Sequence, residues 1–255
     1  MFLILLVLSG SLAGILSELV YISAFILPFV IIFILDKQSL NDNLNLISIS
    51  KRSVRLTLPL IAPTVGIVII ISAITAFLIS VLIGVKNQVD VGDLLIPALI
   101  SHALIPAVLE EALFRYLPMK ILGESKRLTV IASALFFAFA HHSLFSIPYA
   151  FAAGIIFMTL DLMAGSIIPS LIIHFINNAI SVGMLVYADN VAFTPAIIII
   201  LAILSAISIV FIIRNRPVYQ KELKKIFKKD VNVLYTLPLK IFTILSLFAA
   251  LIALM

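Results

Sequence analysis

From residue 57 to residue 84 the chain carries no charged side chain, and residues 193–213 repeat the pattern. Windows of about 20 apolar residues match the roughly 30 Å hydrocarbon core of a bilayer. Backbone N–H and C=O groups at that depth must pair within the chain, which leaves helices or a closed barrel. The runs here are continuously apolar, whereas barrel strands alternate over about ten residues. The expected fold is all-α: a polytopic transmembrane helical bundle of about eight spans, within a range of seven to nine. Composition closes off a soluble alternative, because 63% of the 255 residues are hydrophobic, only 11% are charged and the mean hydropathy is +1.29. A soluble domain of this size would leave much of its exterior apolar. The chain has no cysteine, which excludes disulfides, thiolate chemistry and a Cys-based zinc site. With no Trp, any interfacial aromatic belt relies on Tyr.

Apolar runs and breakers divide the chain. Residues 1–56 hold one long or two short spans within 1–35, followed by a basic loop; the apolar start lacks a basic leader region and is expected to be retained. Residues 57–213 form the transmembrane core, with spans near 57–84, 94–118, 127–142, 147–163, 167–187 and 193–213. A basic amphipathic segment, 214–236, precedes a C-terminal span at 237–255. Loops 36–56 and 119–127 and the stretch 214–236 collect most of the lysines and arginines, while the alternate loops 85–93, 143–146 and 188–192 hold one lysine, Lys86. That alternation places the basic loops in the cytoplasm. It also explains the net charge of +5 through anionic lipid rather than nucleic acid, which is not an expected partner. Within 214–236, Tyr219, Leu223, Ile226 and Phe227 recur at helical spacing between lysines, the pattern of an interfacial helix on the inner leaflet.

Ionisable side chains inside spans are rare and mark function by default. Here they are Glu18, His102, Glu110, Glu111, Arg115, His141, His142, Asp161 and His174, with Asn177 and Asn178 as amides beside them. In Glu110-Glu111-Ala-Leu-Phe-Arg115, Glu111 and Arg115 stand four apart and neutralise each other on one helix face. Glu110 is rotated about 100° away and is left uncompensated, a candidate general acid or base. An interfacial ion cluster accounts for Glu111 and Arg115 equally well, but not for Glu110. Phe137 and His141 are four apart, so the ring can pack under the imidazole. His174 and Asn178 also share one face, where they can hydrogen-bond a water, a metal or an oxyanion. Interhelical hydrogen bonding is the plainer reading of Asn177. His102, eight residues before Glu110, is either a supporting partner or an isolated polar contact; Glu18 and Asp161 fit no motif.

In that order, Glu110-Glu111-x-x-x-Arg115, Phe137-x-x-x-His141 and His174-x-x-x-Asn178 resemble the CAAX-protease and bacteriocin-processing family of intramembrane proteases, which includes the Ras-converting CAAX endopeptidases. The matching core runs over residues 94–187. The resemblance implies an endopeptidase in which Glu110 activates water and His141 helps to hold it. His174 and Asn178 would bind the scissile carbonyl and its oxyanion, with Glu111, Arg115 and Phe137 in support. It implies a membrane-associated peptide or protein substrate, with a prenylated CAAX tail as one class. Both metal-free and metal-dependent chemistry are compatible with it: Glu110, His141 and His174 form a known Zn²⁺ ligand set, without a His-Glu-x-x-His helix. A proton-coupled transporter is the rival reading, since Glu and His chains also mark proton relays, but no inverted repeat is visible. A catalytically inert scaffold or immunity factor is the third. The expected depths do not agree: counted from the cytoplasmic ends, Glu110 lies at about 12 Å, His174 at about 10 Å and His141 at about 21 Å.

Overall fold

The computed structural model describes residues 46–84, 94–122, 125–141 and 145–227. The span or spans within 1–35, the C-terminal span 237–255, Glu18, His142 and the loop 85–93 lie outside the described residues. Every element among the described residues is helical. Helix α1 (Lys51–Thr57) is capped by the Ser50 hydroxyl, which accepts from Ser53 N, and runs through a 3₁₀ turn at Leu58–Leu60 into α2 (Ile61–Ile83).

The next span is broken into pieces: α3 (Leu95–Ala98), a π-helical stretch (Leu99–Leu104), α4 (Ile105–Glu111), a second π-helical stretch (Ala112–Tyr116) and α5 (Leu117–Leu122). Two prolines explain the register changes. Pro106 and Pro118 have no N–H to give the carbonyls four residues back, and their rings crowd those carbonyls, so the helix widens just before each. The N–H groups of Ile105 and Leu117 accordingly reach back five residues, to Ile100 O and Ala112 O.

Helices α6 (Lys126–Ala140), α7 (Ile147–Ala164), α8 (Ile168–Val186), α9 (Phe193–Arg214) and α10 (Arg216–Ile226) follow. Five described segments are long and apolar enough to cross a bilayer: Lys51–Leu82, Leu95–Lys120, Ile147–Ala164, Ile168–Val186 and Phe193–Arg214. Helix α6 forms where a span is expected, but its 15 residues rise only about 22 Å, less than the roughly 30 Å hydrocarbon core.

Helices α6 and α7 pack closely at Gly154, where a Cβ would sit 2.6 Å from Ala134 Cα. The inner core gathers Val65 and Val68 of α2, Phe114, Phe137, Phe157 and Ile173. A second cluster joins Leu56, Val130, Met158, Met163, Tyr219 and Ile226, with Met119 packed against it. This brings α1, the end of α5, the start of α6, the end of α7 and α10 to one end of the bundle. Tyr219 Oη donates to Leu56 O at 3.1 Å, Arg52 pairs with Glu222 at 2.5 Å, and Ile167 N donates to Leu46 O at 2.9 Å.

Helix α10 differs from a helix lying freely on a leaflet. Tyr219 and Ile226 are buried in the bundle, and only Leu223 and Phe227 among its expected apolar residues stay exposed. At the other extreme, α9 buries none of its residues and exposes isoleucines along its length, as suits a helix surrounded by hydrocarbon.

Candidate active site

Glu111 and Arg115 are both completely buried. Their Oε2 and Nε atoms lie 3.1 Å apart, close enough for an ion pair although not aligned as a hydrogen bond. Arg115 is held from several other directions. Its Nη1 donates to Ser133 Oγ at 3.1 Å and to Phe114 O at 3.2 Å, and the Ser133 hydroxyl donates to the same Phe114 oxygen at 2.6 Å. Phe114 is the residue four before Pro118, so its carbonyl is the one that the proline cannot satisfy in α-helical register. The guanidinium lies 4.4 Å from the centroid of the Phe137 ring and 5.5 Å from that of Phe157, which adds cation–π attraction in a dry setting.

Arg115 is not the sole partner of Glu111. His174, on α8, donates from Nδ1 to Glu111 Oε1 at 2.7 Å. That bond leaves Nε2 as the other ring nitrogen and aims it at Glu110, whose Oε2 is 3.7 Å away. Glu110 is half-buried and its Oε2 has no hydrogen-bond partner among the described residues. The two adjacent carboxylates are thus divided as the spacing predicts. Glu111 is locked into the interior and Glu110 is left to face a histidine.

His141 closes the end of α6. Its Nδ1 donates to Phe137 O at 2.7 Å, which leaves Nε2 as the free ring nitrogen of the neutral imidazole. The Phe137 ring packs edge-on against it with centroids 4.6 Å apart, as the i, i+4 spacing predicts. Phe137 also meets His174 at 5.6 Å and Phe114 at 5.6 Å, so one ring spaces both imidazoles and the guanidinium. His141 lies within electrostatic reach of both Glu110 and His174. Side chains from α4, from the end of α6 and from the first half of α8 therefore converge.

Asn178 lies one turn beyond His174 and is half-buried. Its Oδ1 accepts from Asn177 Nδ2 at 3.4 Å, which leaves its own amide N–H groups as donors. His102 is exposed on the bundle's outer surface and does not join the cluster. Among the described residues no three His, Asp or Glu side chains gather as a metal-ligand set.

Sequence reasoning did not pick out Ser133, Ser170 or Tyr149. Tyr149 lies 6.0 Å from the His141 ring, and Ser170 lies beside Glu111. Ser133 stands four before Phe137, and Ser170 four before His174. Each is a lone hydroxyl on the stripe that already carries a motif residue, and that spacing was the available signal.

Residues 92–180 match the family model described as Rce1-like, type II CAAX prenyl endopeptidase Rce1-like. No curated protein and no solved structure is found to match the chain. All three motifs fall inside the matched segment, and the match agrees with the family that those motifs resemble.

Proposed function

We propose that this protein is an intramembrane endopeptidase of the CAAX-processing type. Its substrate would be a membrane-associated protein or peptide, with a prenylated CAAX tail as the first class to test. It would act from a water-accessible site open toward the basic end of the bundle. The observation that carries the reading is the convergence of Glu110 and His174, 3.7 Å apart, beside His141 from a third helix.

In the proposed reaction Glu110 takes a proton from a water held by His141 Nε2, and the water oxygen attacks the scissile carbonyl. The oxyanion accepts hydrogen bonds from His174 Nε2–H and from the Asn178 amide. Glu111 supports this step: its carboxylate, accepting from His174 Nδ1, fixes the ring with Nε2 turned toward the oxyanion. As the tetrahedral intermediate collapses, the C–N bond breaks and Glu110 returns its proton to the leaving amine. No covalent intermediate forms. Glu111, Arg115 and Phe137 hold the two histidines in place.

The test is cleavage of a prenylated CAAX reporter peptide by purified protein in detergent or proteoliposomes. His141→Ala and His174→Ala are each expected to lower kcat by about 10²–10⁴-fold, with the thermal midpoint of the preparation largely kept. Metal analysis of the same samples separates two routes. Activity that survives chelation supports the metal-free route. Stoichiometric zinc, with activity lost on chelation and restored by zinc alone, would replace it with a zinc site on Glu110, His141 and His174. Proton-coupled uptake by wild-type vesicles without any peptide cleavage would favour the transporter instead.

A further inference from the structure

Asp161 belongs to none of the three motifs, yet it is completely buried near the end of α7. An acid inside a membrane helix is costly unless something uses it. Its surroundings show the use. The Asp161 backbone carbonyl closes α7 by accepting from Gly165 N at 2.7 Å and Ser166 N at 3.2 Å, with Gly165 in the left-handed region at φ +70°. Its side chain then reaches across the turn, and Oδ1 accepts from Ser170 N at 3.0 Å.

Ser170 is the third residue of α8, and its N–H is one that an N-cap side chain normally satisfies. The residue at the cap position here is Ile167, which has no acceptor, and Pro169 brings no N–H. Ser166 Oγ accepts from Ile168 N at 3.3 Å, and Leu171 N reaches Ile167 O at 3.1 Å. Asp161 therefore supplies from the preceding helix the cap that α8 lacks. One turn beyond Ser170, on the same face, is His174, whose Nδ1 meets Glu111 at 2.7 Å and whose Nε2 faces Glu110.

We infer that Asp161 is a positioning residue for the peptidase reaction: by capping α8 in trans, it sets the height and rotation at which His174 meets Glu110 and Glu111. The inference rests on the proposed function for its kinetic part only.

Asp161→Ala removes the acceptor, whereas Asp161→Asn keeps an oxygen in the same place. Displacement of a reacting group by about 1 Å costs on the order of 10²-fold in rate, so Asp161→Ala is expected to lower kcat by about 30- to 100-fold while KM changes less than about threefold. Asp161→Asn is expected to recover most of that loss. A readout independent of turnover is the NMR resonance of the His174 Nδ1 proton, identified by its absence in His174→Ala. It should coincide in wild type and Asp161→Asn, and shift or broaden in Asp161→Ala.

Should Asp161→Ala fail to fold, the double variant Asp161→Ala/Ile167→Asn provides a local cap and is expected to restore both the fold and the resonance. The inference is overturned if Asp161→Ala retains wild-type kcat, or if kcat falls with the resonance unmoved. It is equally overturned if Asp161→Asn is as impaired as Asp161→Ala, or if the double variant is also unfolded. A wild-type protein that cleaves no peptide counts against the proposed function, and the resonance comparison then decides on Asp161 alone.

Discussion

Glu111 and Arg115 are the residues whose relationship the sequence states most directly, because partners four apart on a helix have little choice but to meet. What the spacing does not contain is the rest of their shell. His174 comes from 63 residues further along the chain to take the other Glu111 oxygen, and the Phe114 carbonyl and Ser133 fix the guanidinium from its own span and from α6. Such contacts depend on how helices pack, which no single-helix periodicity encodes. Removing Arg115 leaves a carboxylate buried without its cation, a defect that typically costs about 3–5 kcal/mol. Arg115→Ala is expected to lower the unfolding midpoint strongly in detergent. Arg115→Lys should recover only part of that loss, since an ammonium cannot reach Glu111, Ser133 and Phe114 O together while lying over Phe137. Full stability of Arg115→Lys would show that charge alone matters there.

At the scale of elements, the apolar runs marked the spans between 57 and 213, and the helices fall close to them. The interior of the Glu110 span was not legible as a plain α-helix, since its two π-helical stretches answer to Pro106 and Pro118. Each widened turn changes the face on which later residues emerge, so counting 100° per residue loses its meaning across them. This separates His102 from Glu110 despite a spacing that suggested one face. Helix α6 also departs from the expected span, because its 15 residues are too few to cross the hydrocarbon core. The close crossing at Gly154 sets its placement against α7. A methyl group there would collide with the Ala134 backbone rather than with a movable side chain. Gly154→Ala is expected to cost about 1–3 kcal/mol through overpacking, and to slow peptide cleavage by moving α6 with His141. A variant with unchanged melting and unchanged kcat would show that the two helices tolerate being pushed apart.

On the scale of the whole molecule, composition was enough to foresee an all-helical chain with several helices long and apolar enough to cross a membrane. The described helices gather α1, the end of α5, the start of α6 and α10 at a single end. Impermeant maleimide labelling tests the side, and the natural absence of cysteine makes it clean. Lys224→Cys is expected to react only from the cytoplasm and Asn190→Cys only from outside. The reverse pattern would invert the orientation. Helix α10 is also tied to the bundle through Glu222. Burial opposes ionisation of this carboxyl, but the Lys225 hydrogen bond and the charges of Lys225 and Arg52 outweigh it and hold the group below the ordinary glutamate value of 4.5. A lowered folded value stabilises the docked helix above that pH and stops doing so as pH falls through it. Protease accessibility of α10 should therefore rise on acidification below about pH 4.5, and Glu222→Gln should flatten the dependence.

The central claim is that Glu110, and not its neighbour, performs the chemistry. The most direct measurement is the initial rate of reporter-peptide cleavage by purified Glu110→Gln, beside wild type with the same unfolding midpoint. Loss of the general base predicts a fall in kcat of at least about 10²-fold with the fold intact. Cleavage at the wild-type rate by the folded Glu110→Gln protein would contradict the account.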